Sequence, residues 1–201
     1  MLEGDKFAVD RAILRGLRTA ADPAVPVGPH WILPAMMDVT ALGSVTILTI
    51  ITVLSVGFLL ALRRRSTALF VGLAVISGAL LSAALKAFFF RPRPEIVPHL
   101  VEVTSASFPS GHAMNSAFVY LTLAALLARS QRGRRVRIYL ISVAMILTLL
   151  VGVSRVYLGV HWPTDVLAGW SAGAIWAAIC SVIERALLRQ DPMDGEPAAP
   201  N

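Results

Sequence analysis

The sequence has almost no cysteine, almost no lysine and no cluster of acidic residues. Its one cysteine, Cys180, lies in an apolar run, so no disulfide can form within the chain and the redox compartment stays open. Of 18 basic residues only Lys6 and Lys86 are lysine; the rest are arginine. No group of Asp and Glu is spaced to hold a divalent cation, which argues for chemistry without a metal and implies no cofactor. The net charge of +6 raises nucleic acid as a partner. The arginines, however, fall mostly between apolar runs, a placement that marks membrane topology and not a nucleic-acid face. What the chain has in abundance is apolar length. It is 56% hydrophobic over 201 residues, with a mean hydropathy of +0.71. A soluble domain is well below that, so one membrane bundle accounts for the whole length.

Five apolar stretches stand out, at 39–62, 66–85, 112–128, 138–153 and 166–183, the first two free of charge. Each approaches the ~20 residues that cross a hydrocarbon core. The expected fold is therefore all-α, a polytopic transmembrane helical bundle of five spans filling residues 39–189. Gly72, Gly78, Gly169 and Gly173 are expected to allow close helix contact in lipid. No internal repeat is present. Arg63 to Arg65, the arginines from Arg129 to Arg137, and Arg185 with Arg189 follow alternate spans and are expected on the cytoplasmic side. Residues 190–201 then form a polar cytoplasmic tail. By parity, segments 86–111 and 154–165 share the opposite face of an inner (plasma) membrane.

Residues 1–38 precede this bundle. Residues 5–20 read as an amphipathic helix, with Val9, Ile13 and Leu17 on one side and Asp10, Arg11, Arg15 and Arg18 elsewhere. Pro23, Pro26, Pro29 and Pro34 are expected to forbid regular helix after it. Five spans place this segment on the outer face, as an interfacial helix. A missing upstream span, which would make six, is the arrangement favoured here.

Three polar clusters border these spans. Lys86 closes the second, followed by Arg91-Pro92-Arg93-Pro94. Arg offers a planar donor fork for phosphate oxygens and Lys a point charge. Pro109-Ser110-Gly111-His112 opens the third span. There Ser110 is placed to cap the helix, Gly111 admits an anion close to the backbone, and His112 can give a proton to a leaving oxygen. Ser154-Arg155 ends the fourth span, and His161-Trp162-Pro163-Thr164-Asp165 opens the fifth. With Pro163 at a first helical position, Asp165 in the first turn can bond one imidazole nitrogen of His161 and leave the other free to attack. Each cluster alone also fits interfacial snorkelling, an ordinary cap or a helix-start acid. His30 and His99 read as surface residues, and Tyr157 and Trp162 as interfacial anchors. Glu102 and residues 105–108 are candidates for a pocket rim.

Lys86 six residues before Arg93-Pro94, then Pro-Ser-Gly-His at 109–112, then Ser154-Arg155 five residues before His161 and three more before Asp165, resembles the type 2 phosphatidic acid phosphatase family. That family is related to bacterial acid phosphatases and vanadium haloperoxidases. The resemblance implies His161 as a nucleophile forming a phosphohistidine, Asp165 orienting it, and His112 protonating the leaving group. It implies Lys86, Arg93, Ser110, Gly111 and Arg155 as the phosphoryl grip, with no metal. Arg91 is two residues short of the pattern and is expected to make a structural or headgroup contact.

The expected activity is hydrolysis of a lipid phosphate or pyrophosphate at the outer face, with polyprenyl pyrophosphate ahead of phosphatidic acid, diacylglycerol pyrophosphate and phosphatidylglycerophosphate. The expected partners are that lipid and the bilayer, not nucleic acid. A non-catalytic lipid-binding or flipping protein would have lost the nucleophile or its carboxylate, and both are present. Haloperoxidase chemistry does not suit a wholly membrane-embedded chain, and a purely structural bundle leaves the polar groups at the membrane face unexplained.

Overall fold

Each apolar run folds as helix, because in lipid every backbone N–H and C=O must find its partner within the segment. The structure, a computed structural model, describes residues 7–103 and 105–188; the 190–201 tail lies outside them. The described residues hold seven helices, α1 (Ala8–Gly16), α2 (Ile32–Ala41), α3 (Val45–Ala61), α4 (Arg65–Phe88), α5 (Gly111–Ser130), α6 (Arg134–Tyr157) and α7 (Pro163–Leu188). The only β feature among them is an isolated bridge between Arg18 and Pro26. Helices α4 to α7 are each long and apolar enough to cross a membrane, and α2 with α3 makes a fifth candidate if counted as one bent span.

The first span departs from expectation. It is not one helix over 39–62 but two, bent by 47°. Ser44 caps α3 by accepting from the Ile47 N–H at 3.3 Å, and the Tyr120 hydroxyl donates to the Leu42 carbonyl at 2.7 Å, satisfying a group at the break. Gly43 makes the break close-fitting: a Cβ there would lie 2.4 Å from a Val151 methyl and 3.3 Å from His112. Pro34 does not forbid helix. It sits in the first turn of α2, where a missing N–H costs nothing. Helix α2 therefore runs across residue 38.

Helix α5 is the central post. Met114, Phe118, Val119, Tyr120 and Ala124 form its buried core with Leu48 of α3 and Ala144 of α6. Gly169 and Gly173 of α7 seat against Ala113 and Ala117 of α5; a Cβ on Gly173 would come within 2.5 Å of the Met114 carbonyl oxygen. Gly78 faces the Phe118 ring, but Gly72 meets nothing within 4 Å and takes no part in helix contact. Leu54, Leu69, Leu80 and Val182 point outward, as a lipid-facing surface requires. At the end with the basic loops, Arg129 donates to the Glu184 carboxylate and to the Ser181 carbonyl, tying α5 to α7.

Helix α1 is shorter than its pattern. Val9 and Ile13, on its apolar side, are exposed, while Asp10 and Leu14 are buried against the rest of the protein. Tyr157 is not an interfacial anchor; its side chain is buried and its hydroxyl donates to the Val27 carbonyl at 2.9 Å.

Candidate active site

The three polar clusters meet at one end of the bundle, opposite the arginine-rich loops. Lys86 stands at the last turn of α4, Gly111 and His112 at the first turn of α5, Arg155 at the last turn of α6, and His161 and Asp165 around the start of α7. A cavity of about 530 Å³ opens among them. Lys86, Arg93, Gly111, His112, Arg155 and His161 all line it. Ser110 and Asp165 stand behind that lining, fully buried. All eight residues named from the sequence thus belong to one neighbourhood, six of them at the cavity wall.

Pro163 begins α7, so His161 precedes the helix and Asp165 falls in its first turn. The two do not bond directly: Nδ1 of His161 lies 3.6 Å from Oδ2 of Asp165. The hydroxyl of Ser107 sits between them, donating to Oδ2 at 2.5 Å and lying 3.4 Å from Nδ1. With its own hydrogen given to the carboxylate, Ser107 is left to accept from an Nδ1–H. This leaves Nε2 unprotonated, 3.4 Å from a guanidinium nitrogen of Arg93 at the cavity. The Trp162 N–H donates to the same Oδ2 at 3.1 Å, and Arg91 donates to Oδ1 at 2.5 Å. Burial pushes the imidazole of His161 down to about 4, with Asp165 opposing the fall, so the ring is neutral at ordinary pH. A neutral ring with a free nitrogen can act as a nucleophile.

The cations are aimed by backbone carbonyls. Arg93 donates to Ser105 O at 2.8 Å and to Val160 O at 2.6 Å. Burial lowers its guanidinium from the ordinary value, against the pull of Asp165, but an arginine stays charged. Lys86 donates to Ala106 O at 2.9 Å. A Cβ on Gly111 would come 3.0 Å from Cε of Lys86, so the glycine leaves room for that side chain as well as for a ligand. Arg155, 4% exposed, donates to the Thr40 hydroxyl at 3.0 Å and keeps Nε unpaired. Ser110 occupies the N-cap position of α5, yet its hydroxyl caps nothing and is buried without a partner. Its backbone N–H instead donates to the Asp165 carbonyl at 3.0 Å.

Four contributors carry no signal in the sequence. Ser107, expected only at a pocket rim, bridges Asp165 and His161, while Glu102 and Ser105 lie at the cavity edge as expected. Thr40 and Asn115 line the cavity from an apolar span and from α5, and Asp10 arrives from α1. No local pattern marks a lone Ser, Thr or Asn as facing inward. Arg91 makes the structural contact expected of it, and His30 and His99 are exposed. Trp162 donates its indole N–H to Pro92 O at 3.1 Å.

Comparison with known proteins agrees with this geometry. Residues 67–189, well over half of the chain, match the PAP2 superfamily. Phosphatidylglycerophosphatase B of Bacillus subtilis is 37% identical over 157 residues, covering 76% of this chain and 75% of that protein. Undecaprenyl-diphosphatase of Sulfolobus acidocaldarius is 40% identical over 79 residues, 39% of this chain and 34% of the relative. The crystal structure of a transmembrane PAP2 type phosphatidylglycerolphosphate phosphatase from Bacillus subtilis superposes with a TM-score of 0.81. Its identity is 31%, covering 92% of this chain and 88% of that one. The family suggested by the three motifs is the one these matches establish, and the chain belongs to the PAP2 superfamily as a multi-pass membrane lipid phosphatase.

Proposed function

We propose that the protein hydrolyses the phosphate or pyrophosphate monoester of a membrane lipid through a phosphohistidine on His161, without a metal ion. The observation that carries this reading is Nε2 of His161, free and beside Arg93, on a cavity that Lys86, Arg155 and His112 also line.

In the first half-reaction, Nε2 attacks phosphorus. The N–P bond forms as the P–O bond to the lipid breaks, and His112 gives its proton to the departing oxygen. Asp165, acting through Ser107, holds Nδ1–H and offsets the positive charge that develops on the ring. In the second half-reaction, His112 takes a proton from the water that attacks the phosphohistidine. Inorganic phosphate leaves and both imidazoles return to their starting state. Phosphoryl transfer depends mainly on positioning and on neutralising spread charge. Lys86, Arg93 and Arg155, with the Ser110 hydroxyl and the Gly111 N–H, are assigned to the non-bridging oxygens.

A glycerolipid phosphate leads as substrate. The relative aligned over three quarters of both chains is named for phosphatidylglycerophosphate, as is the solved neighbour. Polyprenyl pyrophosphate, preferred on sequence grounds, is the second reading, supported by similarity to an undecaprenyl-diphosphatase over a shorter stretch. Val45, Ala79 and Ala83 give the cavity an apolar wall that suits the start of a lipid tail. The arginine-rich loops at the far end support an extracytoplasmic active site in the plasma membrane.

The test is phosphate release by purified protein in detergent with EDTA, with phosphatidylglycerophosphate and polyprenyl pyrophosphate compared side by side. Release should persist in EDTA and vanish in His161→Ala with the thermal transition unchanged. Activity in that variant, or its loss on chelation, defeats the mechanism.

A further inference from the structure

We propose that α1 belongs to the catalytic apparatus: the carboxylate of Asp10 holds the guanidinium of Arg91, which fixes Asp165 against His161. This rests on the reading of His161 as the attacking group.

Helix α1 buries a carboxylate while part of its apolar side stays exposed. Val9 is 70% and Ile13 42% exposed, while Asp10 on the same short helix is 2% exposed. Burying a carboxylate is costly unless its lone pairs are filled, and a buried ion network is a poor way to gain stability. Leu14, fully buried, already anchors the helix by apolar contact. Asp10 nonetheless has a full set of partners. Oδ1 accepts from the Thr164 N–H at 3.1 Å; Oδ2 accepts from the Thr164 hydroxyl at 2.6 Å and from Arg91 at 3.2 Å. The other terminal nitrogen of Arg91 donates to Asp165 Oδ1 at 2.5 Å and to the Thr164 hydroxyl at 2.8 Å. One guanidinium therefore bridges two buried carboxylates 155 positions apart in sequence, with Thr164 closing the ring. Its carbon lies 4.5 Å from the Phe7 ring centre and 5.5 Å from that of Trp162, which adds attraction from two aromatics.

The consequence lies at Asp165. Arg91 occupies Oδ1, while Ser107 and the Trp162 N–H occupy Oδ2. A carboxylate held at both oxygens cannot swing about its terminal torsion, so Oδ2 stays turned toward His161. Releasing Oδ1 frees that torsion and loosens the imidazole. Asp10 and Arg91 touch no reacting atom; they are positioning residues acting through Asp165.

The full chain in detergent, with dioctanoyl phosphatidic acid as probe, tests this. Loss of a charge-assisted bond should lower kcat about 10- to 100-fold in Arg91→Ala and roughly 3- to 10-fold in Asp10→Asn, with KM within about twofold. Arg91→Lys should recover part of the loss. Asp10→Asn should cost nothing further when Arg91 is already alanine, because the two act along one line. Arg15→Ala, an exposed change on the same helix, should leave kcat unchanged. The proposal is overturned if Asp10→Asn and Arg91→Ala lower the thermal transition but keep wild-type kcat, or if their effects on kcat multiply. Activity surviving in His161→Ala would instead remove the mechanism beneath it, a result told apart by that variant alone.

Discussion

Ser107→Ala is the sharpest single test of how the imidazole is held. Ser107 is fully buried, and it joins two groups that do not reach one another, bonding Asp165 at 2.5 Å and standing 3.4 Å from His161 Nδ1. Alanine removes both contacts, adds no volume and leaves a 3.6 Å gap between imidazole and carboxylate. Asp165 still keeps Arg91 and the Trp162 N–H, so the carboxylate stays in place while the link is lost. A hydrogen bond to a charged group is worth about 1.5–3 kcal/mol. At about 1.36 kcal/mol per decade, kcat should fall roughly 10- to 150-fold. KM should stay constant, because Ser107 does not line the cavity. Steady-state phosphate release over a range of micellar substrate separates the two constants. In an Asp165→Ala background, the added Ser107→Ala change should alter kcat less than about twofold, since the link then has nothing to connect. Wild-type kcat in Ser107→Ala, or a loss confined to KM, would refute the relay through the hydroxyl.

Three further outcomes are expected. The imidazole of His161 is held near 4 in the folded chain against an ordinary 6.5, so the unfolded chain binds its proton first. Its contribution to stability should be whole above pH 6.5 and drain away as pH falls toward about 4. Thermal scans should show wild type losing more than His161→Gln over that window, and parallel curves would contradict it. Gly173→Ala should destabilise the α5–α7 contact by about 1–3 kcal/mol, because its Cβ would press the Met114 carbonyl at 2.5 Å; an unchanged melting temperature counts against that contact. Arg129→Ala strands the Glu184 carboxylate, 6% exposed, at the far end of the bundle. It should cost about 3–5 kcal/mol in chemical unfolding, while the protein that remains folded keeps its kcat.

Much of the site was legible because its chemistry is carried by residues close together in sequence. Lys86 and Arg93 flank one proline-stiffened turn, Ser110 to His112 sit on one helix start, and Pro163 forces His161 and Asp165 into adjacent positions around another. Charge in the arginine-rich loops then placed all three at the same end without reference to their chemistry. Ser107, Thr40 and Asp10 were illegible for the opposite reason: each meets a partner far away in sequence, Asp165, Arg155 and Thr164 respectively.

The sequence alone determined the helical class, the four spans from α4 to α7, and the eight residues gathered at one end. Those follow from apolar length, loop charge and local spacing, which are properties of neighbours along the chain. The tertiary structure alone decided the break at Gly43, the outward turn of Gly72 and the inward turn of Asp10. For the spans, the lipid-facing side of a helix is as apolar as its buried side, so periodicity does not say which side turns in; Asp10 turns in because Thr164 and Arg91, far away in sequence, fill its oxygens. Only contact between helices makes that choice.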